Sequence, residues 1–329
     1  MQMPSRPGCP KRMAMGPCGG VREGGGCEVV PEPCAFTEPA TWPDPVAAVP
    51  LGRVPLILAD YTAAPYSVPM LTAVAATLAA DSDAVLVGEH QNRPDFPPVL
   101  LASLLLAAGA RPWMTLACRD RNRIVLEQEL NGLRHLGVEA ALCVTGDARA
   151  HDVRPDVTQV FDLDGPQLAA LAASAGLPAA VPETPAAPPR ALRAARLAQK
   201  QRAGAAAAVL NHAALETVTA FMAGAAEAGV TIPVIAGVAV FTDEPSAAVL
   251  NALPGLELDP AAVRAVLAAP DPVEAGIAAA AAEAAALLAI PGIAGVNLSG
   301  LGSARGYQYA ATVKAELARR IREGHPRDR

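Results

Sequence analysis

The stretch that decides the fold is PWMTLACRDRNRIVLEQELNGLRHLGVEAALCVTGD, residues 112–147. It begins with a short apolar run, Pro112–Ala117, and continues into Asn122–Leu136, whose leucines recur every three to four residues, as on one face of a helix. Gly137 ends that pattern, and a second apolar run, Ala140–Thr145, follows it. The order strand, helix, strand predicts a βαβ unit with two parallel strands.

The same alternation recurs along the chain from Val54 onward. The apolar runs are too uniform for half-exposed strands, and Ala/Leu-rich stretches separate them, as in a parallel sheet covered by helices. Eight such units in roughly 280 residues predict an α/β fold, a (β/α)8 TIM barrel. The predicted strands are Val54–Asp60, Ala84–Gly88, Pro112–Ala117, Ala140–Thr145, Pro178–Pro182, Ala206–Asn211, Ile232–Val238 and Gly295–Leu298. The predicted helices include Pro97–Ala108, Asn122–Leu136, Arg190–Ala203, Glu216–Gly229, Pro272–Ala289 and Ala304–Glu323.

Composition excludes several classes of protein. Hydrophobic residues make up 52% of the 329 residues and charged residues 18%, which is too apolar for a disordered chain. A net charge of −6 without any Lys/Arg-rich run argues against a nucleic-acid partner. The most apolar stretch, Ala275–Val296, contains Glu283 and is broken by Pro291, so no membrane-spanning helix is predicted. No apolar export signal stands at the N-terminus. We therefore predict a cytoplasmic protein whose cysteines are thiols or metal ligands.

Four cysteines are concentrated near the start of the chain. Glycines flank them, and such glycines suit tight turns whose backbone N–H groups face thiolate sulfurs. This predicts a small metal-binding module and linker over residues 1–45, ahead of a barrel over residues 46–329. The alternative is a flexible, reduced extension. The predicted metal ligands are Cys9, Cys18, Cys27 and Cys34.

Polar residues follow most of the predicted strands. In a barrel of this kind the carboxyl ends of the strands meet at one end, where active sites lie. Acids and amides predominate there, which favours a neutral or cationic heteroaromatic ligand over a phosphate. Asp60 and Asp147 could instead cap the helices that follow their strands, and Glu183 could be a carboxylate of a surface loop. The residues are Asp60, Glu89-His90, Arg119-Asp120, Thr145-Gly146-Asp147, Glu183, Asn211-His212, Asn297 and Ser299.

The segment from Thr115 to Asp147 resembles the methylenetetrahydrofolate reductase family. The matching features are the turn Cys118-Arg-Asp-Arg-Asn122, the helix after it, and the pair Gly146-Asp147 at the end of the next strand. The resemblance extends more weakly over Val54–Glu323. It implies a (β/α)8 barrel, as the strand count does. It also implies reduction of 5,10-methylenetetrahydrofolate to 5-methyltetrahydrofolate in one-carbon metabolism and methionine biosynthesis.

The resemblance implies roles for individual side chains. An acid must help to open the five-membered ring of the substrate before hydride adds to the exposed carbon. Asp60 stands where the family has a Glu, and Glu89 could supplement or replace it. Asp147 matches a family carboxylate that favours positive charge on the bound pterin. The implied catalytic residues are thus Asp60, Glu89 and Asp147, and the implied substrate-binding residues are Asn211, Glu183 and Asp120.

The resemblance implies NAD(P)H and FAD as cofactors. The positions that match its flavin contacts are Thr115, Thr145, Arg193, Arg196 and Lys200. Thr115, however, stands where the family has His. The sequence therefore weighs slightly against tightly bound FAD and leaves direct hydride transfer from NAD(P)H, or a deazaflavin, as alternatives.

The N-terminal pieces Cys9-Pro-Lys and Gly16-Pro-Cys-Gly-Gly are similar to a Cys-rich module found in some family members or on their partner subunits. That similarity implies zinc in preference to an iron–sulfur cluster. A second reading of the chain is a non-catalytic folate-binding or adaptor subunit that docks a methyl-transfer partner through this module. The expected partners are a small folate substrate and either a one-carbon-pathway protein or a second copy of the chain.

Overall fold

The chain folds into a closed barrel of eight parallel strands surrounded by helices. The computed structural model describes residues 3–38, 40–149, 153–252, 256 and 258–325. The strands are β1 (Ile57–Tyr61), β2 (Ala84–Val87), β3 (Pro112–Ala117), β4 (Ala140–Val144), β5 (Ala179–Glu183), β6 (Ala205–Leu210), β7 (Val234–Val240) and β8 (Ile293–Gly300). The helices are α1 (Val68–Asp81), α2 (Pro98–Ala107), α3 (Arg123–His135), α4 (Gly165–Ser174), α5 (Arg193–Arg202), α6 (Leu215–Glu227), α7 (Glu244–Asn251), α8 (Pro260–Leu267), α9 (Pro272–Leu288) and α10 (Tyr307–Gly324).

The fold class predicted from the eight repeats is confirmed. Each strand pairs in parallel with its neighbour in the sequence, and β8 closes the barrel against β1, with Leu58 opposite Asn297 and Ala59 opposite Leu298. The apolar stretch Ala275–Val296 divides into the end of α9 and the start of β8 at Pro291-Gly292. None of the helices that the structure describes has the length and apolarity needed to cross a membrane.

Two apolar layers hold the barrel together. One cluster fills the barrel interior, where Trp113 is fully buried among small residues such as Ala140 and Ala207. The other lies between the strands and the surrounding helices and is built mainly from Leu, Val and Ala. Successive strand residues point alternately to these two layers. A polar residue at the end of a strand therefore faces the barrel mouth or the helices according to its position in that alternation.

The N-terminal residues pack against the barrel at the start of α4. The Asp164 carboxylate, fully buried, accepts hydrogen bonds from the backbone N–H groups of Ala14 (2.9 Å) and Met15 (2.6 Å). The same carboxylate caps α4 through the N–H of Gln167. Ala14 and Met15 also pack against Trp42 in an apolar cluster. One buried carboxylate thus joins the N-terminal segment to the barrel.

We expect Asp164→Ala to release the N-terminal segment and to lower the free energy of unfolding by about 2–4 kcal/mol, because buried N–H donors would lose their acceptor. The measurements are urea-induced unfolding and the rate of proteolytic cleavage within residues 3–38.

Asp271→Ala is the matched control, because the Asp271 carboxylate caps α9 at an exposed site and contacts no N-terminal residue among its described hydrogen bonds. It should cost about 1 kcal/mol and leave cleavage of the N-terminal segment unchanged. Equal cleavage of both variants would contradict the anchoring role of Asp164.

Candidate functional site

A cavity of about 360 Å³ opens at the carboxyl-terminal mouth of the barrel. Its floor is formed by apolar side chains of the barrel interior, among them Leu86, Leu142 and Val209. Polar side chains from several strand ends surround that floor, and residues of the N-terminal segment complete the wall. The polar residues that line the cavity include Lys11, Cys18, Asp60, Thr145, Asp147, Glu183, Thr184, Arg196, Lys200, Asn211, His212, Asn297 and Ser299.

Asp60 is held at the edge of this cavity by two residues of β8. Asn297 Nδ2 donates to Asp60 Oδ1 at 2.8 Å, and Ser299 Oγ donates to Asp60 Oδ2 at 2.5 Å. The three side chains meet because Asn297 lies opposite Leu58 in the sheet, so that residues two positions further along each strand share the same inward face. Each oxygen of the Asp60 carboxylate therefore already accepts one hydrogen bond, and its orientation is fixed.

Asn297 carries a polar atom that the protein does not satisfy. The residue is only 4% exposed, and its Oδ1 has no hydrogen-bond partner among the described residues. Its orientation follows from Asp60, because a carboxylate can pair with the amide NH₂ but not with the amide oxygen. A buried acceptor without a donor is costly, so a ligand with an N–H group would gain from pairing with it. Asn297 and Ser299 appear in the sequence as strand-end residues, but sequence reasoning assigned them no role.

Asp147 and Asn211 reach the same cavity from β4 and β6. Gly146 adopts a positive φ of +88°, which places Asp147 over the barrel mouth, and the main-chain carbonyl of Asp147 is contacted by Arg119 Nη1 at 3.4 Å. Asn211 Nδ2 donates to Thr184 Oγ1 at 3.0 Å. Asp60, Asp147 and Asn211, which the resemblance implied as site residues, therefore lie around one cavity.

The N-terminal segment contributes a cation that sequence reasoning missed. Lys11 is 3% exposed, forms an ion pair with Glu28, and lines the cavity together with Cys18, Gly19 and Gly20. The pattern around the cysteines indicated a separate module rather than part of the barrel wall. The signal that could have found Lys11 is the rarity of lysine in a chain whose other cations are nearly all arginine.

Glu183 is occupied by a buried ion cluster. Its carboxylate, 2% exposed, lies 2.8 Å from Arg196 Nη1, 2.8 Å from Lys200 Nζ and 3.5 Å from Arg193 Nη1. Burial opposes ionisation, but Lys200, Arg196 and Arg193 together outweigh it and lower the pKa of Glu183 to about 2. Glu183 thus connects the end of β5 to α5 through ion pairs. It forms part of the cavity wall.

The residues that match flavin contacts in the family have internal partners here. Arg193, fully buried, donates to the carbonyls of Ala187 and Pro188, and Lys200 donates to that of Pro182. Thr145 Oγ1 accepts from the N–H of Gly165, at the start of α4. Thr115 lines a different cavity. Thr145, Arg196 and Lys200 nevertheless line the cavity of about 360 Å³.

Glu89 and Asp120 lie apart from Asp60, around a second cavity of about 490 Å³ that Thr115 also lines. Arg121 Nη1 contacts both oxygens of Glu89, at 2.7 and 2.8 Å, yet burial raises the pKa of Glu89 more than Arg121 lowers it. Arg149 binds Asp120 through two nitrogens, at 2.6 and 2.8 Å. Burial opposes ionisation of Asp120, but Arg149 and Arg119 outweigh it and lower the pKa. The structure thus separates Glu89 and Asp120 from the Asp60–Asp147 cavity.

The four N-terminal cysteines line one small cavity of about 20 Å³, and Cys27 Sγ accepts a hydrogen bond from the N–H of Val29 at 3.5 Å. Within the described ranges, however, no three His, Cys, Asp or Glu side chains are placed to hold a metal ion. The arrangement of the thiols therefore does not amount to a closed four-ligand site. Metal binding by Cys9, Cys18, Cys27 and Cys34 stays a prediction.

We expect Glu183→Gln to lower the free energy of unfolding by about 3–5 kcal/mol, because three buried cations would lose their carboxylate. The pH dependence has a definite sign. A carboxylate whose folded pKa is about 2 stabilises the fold above its ordinary pKa, and that contribution disappears as the pH falls toward 2. The variant should lack this part of the acid-induced loss of stability, as measured by urea unfolding at several pH values.

Glu23→Gln serves as the control, because Glu23 pairs with an arginine at the surface, with 76% of its side chain exposed. Its stability should stay close to that of the unmodified protein at every pH. An equally small effect of Glu183→Gln would show that the buried cluster contributes no net stability.

Comparisons with known proteins find similarity in three-dimensional structure. No family model and no curated protein matches the sequence. An uncharacterized protein from Clostridium thermocellum, which binds two copies of 5-methyl-5,6,7,8-tetrahydrofolic acid, is 12% identical, with 82% of this chain and 95% of that chain covered at a TM-score of 0.57. Tryptophan synthase from M. tuberculosis is 16% identical, with 84% and 93% covered at a TM-score of 0.47. The first of these likenesses shows that the barrel fold is shared.

Proposed function

We propose that this chain binds a reduced folate at the barrel mouth and reduces 5,10-methylenetetrahydrofolate to 5-methyltetrahydrofolate. The observation that carries the proposal is that Asp60, Asp147, Asn211 and Asn297, from four different strand ends, surround one cavity with an apolar floor. A pterin offers a flat ring to such a floor. It also offers N–H donors to carboxylates and to an amide oxygen.

Three further observations support a folate as the ligand. The cavity volume of about 360 Å³ falls within the range of small-molecule sites. The Clostridium thermocellum protein that shares this fold binds 5-methyltetrahydrofolate. The unsatisfied Asn297 Oδ1 next to the Asp60 carboxylate presents two adjacent acceptors, which suit the two adjacent N–H donors on the pyrimidine side of a pterin.

The carboxylates of Asp60 and Asp147 have different roles in the proposed reaction. Asp60 is fixed by Asn297 and Ser299, so it serves as a stationary negative charge near the iminium ion that ring opening creates. We assign Asp147 the role of general acid, because its side chain has no described hydrogen bond within the protein and can turn toward the substrate nitrogen that leaves the methylene carbon. Hydride then adds to that carbon. Lys11 lines the same cavity and supplies a positive charge there.

Reduced nicotinamide supplies the hydride directly in this proposal. The side chains that match flavin contacts in the family are engaged in internal contacts, above all Arg193 and Lys200. Such side chains would have to leave buried partners before they could bind a flavin.

The same internal contacts favour a second candidate function, a folate-binding subunit without reductase activity. It would bind the pterin at the same residues and pass it to a methyl-transfer partner. Ligand binding without turnover under any hydride donor distinguishes this candidate from the reductase.

The test of the proposal follows oxidation of NADH and NADPH with 5,10-methylenetetrahydrofolate, with and without added FAD, and follows binding of 5-methyltetrahydrofolate by calorimetry. We expect turnover without FAD. We expect Asp147→Asn to lower kcat by about 10²–10⁴-fold, as loss of a general acid does, with the fold intact by circular dichroism.

Asp271→Asn is the matched carboxylate-to-amide control, because Asp271 is an exposed helix cap that is not among the residues lining the cavity. It should leave kcat unchanged. Unchanged turnover in Asp147→Asn would remove Asp147 from the reaction, and absence of both binding and turnover would overturn the proposed function.

A further inference from the structure

Lysine is rare in this chain, and every lysine is buried. Lys11, Lys200 and Lys314 are the lysines of the sequence, and arginine supplies the rest of its Lys+Arg 26. Their exposed fractions are 3%, 3% and 2%. An amine can lose its proton and act as a nucleophile, whereas a guanidinium stays charged in proteins. The buried lysines are therefore the positions at which amine chemistry is available.

Lys314 differs from the other two in its partners. Lys11 pairs with the carboxylate of Glu28, and Lys200 pairs with that of Glu183 at 2.8 Å. Lys314 Nζ donates at 2.8 Å to the main-chain carbonyl of Asp60, and no carboxylate oxygen of the described chain lies within ion-pair distance of it. The carboxylate of Asp60 is turned toward Asn297 and Ser299 instead.

Burial without a counter-ion favours the neutral amine. An ammonium group taken out of water without a paired charge is strongly disfavoured, so such a group loses its proton. Burial lowers the pKa of Lys314 below its usual value, although the nearby Asp60 carboxylate acts in the opposite direction. A neutral amine that donates one N–H to a carbonyl still has a free lone pair.

Lys314 also borders a cavity. It lines a cavity of about 520 Å³ that lies between α1, α10 and the loop after β8. The walls are mainly apolar, with Val74, Leu78 and Ala310 among them, and Ser303 and Tyr307 add hydroxyl groups. Besides Lys314, the titratable side chains among the lining residues are Asp60 and Tyr307.

We propose that Lys314 is an imine-forming amine that captures a small uncharged aldehyde in this cavity. The Nζ lone pair adds to the carbonyl carbon, and the carbonyl oxygen takes up a proton to give a carbinolamine. Loss of its hydroxyl group as water leaves a C=N bond, so that amine and aldehyde become imine and water. No oxidant or reductant is needed for this step.

The cavity restricts the class of aldehyde. Its lining has no cation other than Lys314 itself, so an anionic aldehyde would find no charge partner there. Apolar walls with a few hydroxyl groups suit a short aliphatic aldehyde. This cavity is separate from the proposed folate site, although Asp60 borders both. Imine formation at Lys314 therefore does not depend on the proposed function.

The experiment treats the full-length protein at pH 7 with dilute acetaldehyde and sodium cyanoborohydride, which reduces an imine to a stable secondary amine. Peptide mapping by mass spectrometry then gives the rate of ethylation at each lysine. We expect Lys314 to react at least about tenfold faster than Lys11, because Lys11 is paired with the Glu28 carboxylate whereas Lys314 contacts only a neutral carbonyl. The rate at Lys314 should also saturate with aldehyde concentration, as binding in a cavity requires.

Lys314→Met is the matched variant and should lose the fast modification while the slow one at Lys11 persists. Wild-type mapping decides the question even if that variant fails to fold. A rate at Lys314 equal to or below that at Lys11, a rate that rises linearly without saturation, or preferential trapping at Lys200 would each overturn the proposal. Because no folate is present, the result does not depend on reductase activity.

Discussion

Closure of the barrel between β1 and β8 is the constraint on which the site depends. It brings Asp60 next to Asn297 and Ser299, which are 237 and 239 positions away in the sequence. Without this closing pair, the Asp60 carboxylate would lose both of its hydrogen-bond donors. Closure is possible because the interior accepts small side chains around one large one, Trp113.

Charge is arranged differently inside and outside the barrel mouth. Inside, Asp60 and Asp147 face the cavity, and neutral groups orient Asp60. At the wall of the cavity, the buried cations of α5 surround the single carboxylate of Glu183, which fixes them to the scaffold. This division leaves carboxylates for a ligand that carries N–H donors or positive charge. It also pairs Arg196, which lines the cavity, with Glu183 rather than with the phosphate of a cofactor.

The alternation of side chains along each strand explains which of the residues predicted from the sequence line the cavity. Asp60 lines the cavity because it follows Leu58 by two positions and shares its inward face. Glu183 follows the inward-facing Pro182 directly, so it points toward α5 and its cations. The strands are apolar on both faces, so their sequences do not reveal which positions face inward. The register of the closed sheet determines which positions face inward.

The sequence by itself determined the barrel, because eight apolar runs separated by amphipathic helices can bury their faces together in few other ways. It also determined that acids and amides collect at the carboxyl ends of the strands. The tertiary structure alone decided that Glu89 and Asp120 belong to a second cavity, that Lys11 reaches the barrel mouth, and that Lys314 is a buried amine without a carboxylate. These outcomes depend on contacts between segments that are distant in the sequence. Local sequence patterns therefore do not predict which buried charged side chain forms an ion pair.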